Sequence, residues 1–253
     1  MGDVSNMRDF IIFLNTEHKR KPLIKTKEVS VEELRVYPGS SYLSKEFEVV
    51  VDGRLIYLGE HPRYNAFKYE VTYYPRISRS VKERITVSAE FTLWQIKESP
   101  LVTGFDIPRA VARIGVALAS MILYENPFSM KPINIMREDF IRLKELIQAK
   151  GGKLTRIHVK KRGIFGKFEL TASNIKVGLE EEYPNINFNE LLRSASAIHS
   201  LGFSLLPPVV ERLISFRITR WGGGQIYSPS EPLDYEILTV MDLLKEALFP
   251  GLA

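Results

Sequence analysis

The chain has 253 residues, 35 Lys and Arg against 30 Asp and Glu for a net charge of +5, 45% hydrophobic residues and no cysteine. The absent thiol excludes disulfides, thiolate metal sites, iron–sulfur clusters and cysteine nucleophiles. A globular chain of this size buries roughly three quarters of its extended surface.

The longest apolar run, Ile114 to Tyr124, is too short to span a bilayer. Asp3, Arg8, Asp9 and Glu17 surround the short N-terminal apolar run, which does not match a secretory signal and sets the expectation of a cytoplasmic protein without a membrane partner. Three Gln among many Lys, Arg and Glu point to a thermophilic source.

Residues 5–16 read as a short helix, followed by a basic segment with His18, Lys19, Arg20, Lys21, Lys25 and Lys27. From Lys45 the pattern turns to strands. Phe47, Val49 and Val51 alternate, Asp52-Gly53 is a type I′ hairpin signal, and Leu55 to Leu58 returns. Phe67, Tyr69, Val71 and Tyr73 alternate with Lys68, Glu70 and Thr72. Glu83 to Trp94 sets Ile85, Val87, Ala89, Phe91 and Leu93 inward, with Arg84, Thr86, Ser88, Glu90 and Thr92 outward. Asp106 is the expected N-cap of an apolar helix reaching about Tyr124, with Pro108 in its first turn. Residues 126–134, with Pro127 and Pro132, are the candidate linker between halves 1–128 and 129–253.

The second half opens with a helix near Arg137 to Lys150, stopped by Gly151-Gly152. Strands are expected at 153–161 and 167–177, the second with a bulge near Ser173 where its apolar parity switches. Glu180 to Glu182 forms an acidic turn. A helix near Phe188 to Leu201, a strand from Glu211 to Trp221, a turn at Gly222 to Gly224, a short strand at Gln225 to Tyr227 and a helix from Asp234 to Phe249 complete the chain.

The fold class is therefore α+β, with two similar halves, each an antiparallel sheet backed by a long C-terminal helix. Glu83-Arg84-Ile85 through Trp94 is similar to Glu211-Arg212-Leu213 through Trp221 at a separation of 128 shrinking to 127, and Asp106 and Asp234 are also 128 apart. Internal duplication is one reading of that spacing. Two such half-domains would resemble, by analogy of plan alone, the saddle of TATA-binding proteins, which implies helices on one face and an open opposite face.

Lys150 to Lys167 holds Lys150, Lys153, Arg156, Lys160, Lys161, Arg162 and Lys167 without an acid except beyond its end, at Glu169. Arg156, His158 and Lys160 from one strand, Lys167, Thr171 and Ser173 from its partner, and Arg217, Thr219 and Trp221 from a third are expected on one sheet side. Such a face offers cations and hydroxyls to phosphates and an aromatic ring to a base. Phe165, between Gly163 and Gly166 at the hairpin tip, offers a wedge or a stacking contact. The four histidines have no metal-ligand spacing, and no GxxxxGK[ST], GxGxxG or GxSxG occurs, so no cofactor or metal is expected.

These features favour a non-enzymatic nucleic-acid-binding protein, for duplex or single strands. The candidate contacts are Arg156, His158, Lys160, Lys161, Arg162, Phe165, Lys167, Arg217 and Trp221. A protein-interaction or homo-oligomeric assembly module, and an enzyme of unrecognised class, stand as alternatives, and Lys on an exposed edge strand also serves simply to block edge pairing.

Overall fold

Phe10, Ile11, Ile12 and Phe13 are all buried, and they lie in a strand, β1 (Asn6–Asn15), where a helix was expected. A short run rich in aromatic and β-branched residues suits a strand covered on both faces as well as a buried helix, and here strand pairing decides. This computed structural model describes residues 6–75, 85–161, 167–207, 212–228 and 234–252. They form a mixed α+β fold with a large antiparallel sheet and seven α-helices, none long and apolar enough to cross a membrane. The chain divides into two compact units, Phe10–Ile133 and a second comprising Asn134–Ala253 with the residues before Phe10.

In the Phe10–Ile133 unit, β2 (Glu28–Ser30), β3 (Val50–Glu60), β4 (Tyr64–Tyr73), β5 (Val87–Ile96), β6 (Leu101–Phe105) and β1 follow one another across the sheet, with β7 (Met130–Pro132) also on β1. Short helices α1 (Val31–Val36) and α2 (Ser44–Phe47) precede β3, so the expected Phe47 to Val51 strand begins only at Val50.

Asp52-Gly53 makes no hairpin. It sits inside β3 at a register shift, where a Cβ on Gly53 would lie 2.8 Å from the Glu70 carbonyl oxygen. Close strand approach, not a turn, is what this glycine permits. Ile85 and Val87 are exposed, because inward alternation takes hold only further along β5, at Leu93.

The helix α3 (Arg109–Tyr124) covers the inner sheet face, with twelve of its residues buried. Pro108 occupies its N-cap position, and Asp106 lies two residues earlier at φ 53°, so the expected aspartate cap is not used. Gly115 lets the helix settle on the Tyr69 ring, 2.8 Å from where a Cβ would stand. Glu125, in the left-handed region, ends the helix by donating its N–H to the Met121 carbonyl.

In the other unit the strand order is β12 (Gly223–Ser228), β11 (Ile214–Thr219), β10 (Ala195–Leu205), β8 (Lys153–Lys161) and β9 (Lys167–Thr171). The helices α4 (Arg137–Ala149), α5 (Leu179–Glu182), α6 (Phe188–Ser194) and α7 (Asp234–Leu248) belong to the same unit. Leu154, Ile157 and Val159 of β8, Ile198, Leu201 and Phe203 of β10, and Phe216 and Ile218 of β11 are buried on the helix side, with Phe140, Leu143 and Ile147 of α4.

Two expectations change here. The helix beginning at Phe188 stops at Ser194 and the chain continues as β10, whose Leu201, Phe203 and Leu205 alternate with Gly202 and Ser204. Pairing with strands on both sides overrides the helical reading. The strand from Lys167 ends at Thr171 instead of bulging at Ser173. The parity change in the sequence marks its exit into turns, and Ser173 Oγ lies 3.0 Å from Glu182 Oε2.

The acidic segment is also not a free turn. Glu180 approaches Lys144, which is 1% exposed, at 2.9 Å, and Glu181 pairs with Lys153. Lys144 further donates to Gln148 at 2.7 Å and to Asn189 at 3.0 Å, as a buried ammonium requires.

Candidate functional site

The face of the β12-β11-β10-β8-β9 sheet turned away from the helices is polar on every strand. Register fixes its members. Arg156, His158 and Lys160 of β8 stand opposite Thr171, Glu169 and Lys167 of β9, and opposite Gly202, Ser200 and Ala197 of β10. Gly202, Ser200 and Ser204 in turn face Arg217, Thr219 and Ser215 of β11, and beyond these lie Gln225 and Tyr227 of β12.

The β10–β8 pairing has three register shifts, at Ala195/Ala197, Ile198/Ser200 and Gly202/Phe203, and the last two shape this part of the surface. Between Ile198 and Ser200 the β10 register shifts, so that His199 is the extra residue beside His158. The two imidazole rings lie 4.8 Å apart between centroids with 36° between their planes. A second shift at Gly202/Phe203 brings Thr155 and Arg156 together against Gly202, where an added Cβ would be 2.9 Å from the Arg156 Cβ. Gly202 thus leaves the space between Arg156 and Arg217 free of side chain.

The charge balance is uneven. Four cations, Arg156, Lys160, Lys167 and Arg217, share the face with one carboxylate, Glu169. Glu169 Oε1 accepts from Arg156 Nε at 2.9 Å, and that hydrogen bond is the main reason its carboxyl is held below the usual range. Lys160, Lys167 and Arg217 have no carboxylate partner among the described residues.

Burial is the first cause that lowers the His158 pKa. Glu169 opposes it, and Lys167, Arg217 and Arg156 add to the lowering. For His199 burial again leads, reinforced by His158, Lys167, Arg220 and Lys160. Four buried polar atoms here, His199 Nε2, Ser200 Oγ, Ser215 Oγ and Arg217 Nε, make no hydrogen bond within the protein. Buried groups normally find partners, so these four mark strained or unsatisfied positions beneath the face; His18 Nε2, Tyr69 Oη and Ser129 Oγ elsewhere in the chain are alike in this. At the far end Ser204 Oγ donates to the Ile175 carbonyl at 2.6 Å, so the chain after β9 covers that end.

The outer face of the other unit differs in kind. Arg54 bonds Glu70 at 2.8 Å and Glu28 at 3.2 Å, and Lys68 bonds Glu70 at 2.7 Å and Glu90 at 2.8 Å. Thr72 and Ser88 bond each other at 2.9 Å. Those charges satisfy one another, whereas the β8–β11 face keeps a cationic surplus.

Of the sequence candidates, Arg156, His158, Lys160, Lys167 and Arg217 come together on this face. Trp221 is not in a strand. It stands 51% exposed in the turn between β11 and β12, with the Arg220 guanidinium 5.1 Å from its ring centroid. Lys161 is the last residue of β8, paired with Ala195, while Arg162 and Phe165 lie outside the described residues. The sequence set Ser215 outward beside Arg217 but missed His199, Ser200 and Gly202; the Leu201-Gly202-Phe203-Ser204-Leu205 alternation was the signal that could have placed them on a strand.

Among the described residues no group of three or more His, Asp or Glu is arranged to hold a metal ion. No protein-family model matches the chain, and no curated protein matches it significantly.

Proposed function

We propose that the polar sheet face of the Asn134–Ala253 unit binds nucleic acid, mainly through phosphate contacts and without strong base readout. One observation carries the reading. Arg156, His158 and Lys160 are on β8, an interior strand between β10 and β9, and Arg217 is on β11, interior in the same way. Lysines that block edge pairing belong on edges, so the edge explanation is confined to β9. Interior cations, of which Lys160 and Arg217 have no carboxylate partner among the described residues, fit a polyanion, whose phosphates accept from Arg and Lys.

Single strands suit the face best. Five strands at about 4.8 Å spacing make a surface about 19 Å across, wider than the ~12 Å major groove. Trp221 supplies an exposed ring on which a base can stack. The 128-residue spacing sets Asp106 just before α3 and Asp234 at the start of α7, which supports, as part of the same proposal, a common plan for the two units.

Anisotropy of labelled single-stranded and duplex 20-mers tests the assignment. Replacing Lys160, Lys167 and Arg217 together by Ala is expected to weaken binding of both. Unchanged affinity would remove this face from the proposal, and light scattering on the same preparation would detect self-association through it instead.

A further inference from the structure

We propose that His158 and His199 form an acid–base pair that cleaves RNA lying on this face, with the ribose 2′-hydroxyl as nucleophile. This rests on the nucleic-acid reading and goes beyond it by naming a reaction and a substrate class. Two imidazoles from neighbouring strands meet at 4.8 Å between centroids, on a face whose described residues carry more cations than carboxylates. His199 reaches this face because β10 carries an extra residue against β8 between Ile198 and Ser200, while its pairing with β11 runs in regular register.

The chemistry needs only groups already present. One imidazole, as free base, takes the 2′-hydroxyl proton while the 2′-oxygen forms a bond to phosphorus. The other, as imidazolium, gives its proton to the 5′-oxygen as the P–O5′ bond breaks. The products are a 2′,3′-cyclic phosphate end and a 5′-hydroxyl end, with no oxidant, reductant or water consumed. The two proton states are restored by exchange with solvent.

Lys160, Lys167 and Arg217 stand where charge develops on the phosphoryl oxygens. His158 faces Glu169 and Lys167 from β9, Arg156 on its own strand, Arg217 from β11 and His199 from β10, and His199 faces His158, Lys160, Lys167 and Arg220. Those surroundings favour the free base. A phosphate bound between them would act in the opposite sense, its negative charge favouring protonation of one ring.

The test uses the full chain, a 5′-labelled RNA pool with about twenty random positions and its all-deoxy counterpart, in EDTA. General acid–base groups typically contribute 10²–10⁴-fold. His158→Ala and His199→Ala should therefore each slow RNA cleavage at least 100-fold at saturating RNA, where loss of chemistry is read apart from any loss of binding. The DNA pool should bind and stay intact, and the cut RNA should carry cyclic-phosphate and 5′-hydroxyl ends. If an alanine variant does not fold, the glutamine variant at the same position replaces it.

RNA that binds but is not cut, or cleavage that survives both substitutions, overturns this inference and leaves the binding proposal standing. Absence of RNA and DNA binding overturns both.

Discussion

If this face binds nucleic acid as proposed, the salt dependence of that binding follows from counting cations. Arg156 is engaged by Glu169, which leaves Lys160, Lys167 and Arg217 to neutralise phosphates. Each neutralised phosphate on a single strand contributes about 0.7 to the slope of log affinity against log salt, so three give a slope near −2. Affinity should then fall about 20-fold between 50 and 200 mM salt; for a duplex, about 0.9 per phosphate gives about 40-fold. Anisotropy titrations at four salt concentrations measure the slope directly. The triple alanine variant should bring it close to zero, and Glu169→Gln, which releases Arg156, should steepen it by about 0.7. Lys68→Ala, on the face whose charges are already paired, should leave it unchanged. A triple variant with the wild-type slope would refute the counting and with it the location of the interface.

Other consequences are checked separately. Trp94 is 5% and Trp221 51% exposed, so acrylamide quenching of tryptophan emission reports mainly Trp221; a single-stranded oligonucleotide should protect it, and quenching indifferent to saturating oligonucleotide would exclude stacking there. Gly202→Val forces a side chain against Arg156 and should cost about 1–3 kcal/mol in urea unfolding, whereas an unchanged midpoint would contradict the close approach. Both histidines titrate below the ordinary imidazole value of about 6.5, so below that pH the unfolded chain takes up protons that the folded chain resists. Their contribution therefore destabilises the fold as pH falls through 6.5 toward their lowered values. Urea midpoints at pH 7.5 and 5.5 should show a drop that is smaller in the His158→Gln/His199→Gln variant, and an equal drop in both proteins would contradict the assignment.

What the sequence conveyed depended on how each signal arises. Helices α3, α4 and α7 were legible because 13 to 16 residues of helical periodicity average over local ambiguity, and because Asn126-Pro127 and Gly151-Gly152 mark the ends of the first two. β4 was legible because its Phe67, Tyr69 and Val71 bury one face cleanly. β1 and β10 were not. Each is covered on both faces for part of its length, so the period-two pattern that identifies a strand is diluted by residues that packing from both sides makes apolar or small.

That loss bears directly on the site. With residues up to Leu201 read as helix, His199 had no relation to His158, although strand pairing sets the two rings side by side. The same omission made β8 look like a basic edge, because the strand on its other side was unrecognised. Once β10 occupies that position, Arg156, His158 and Lys160 no longer guard anything: their backbone groups are already paired on both sides. Their charge then needs a different reason to be there, and the proposed anionic ligand across β8, β10 and β11 supplies one.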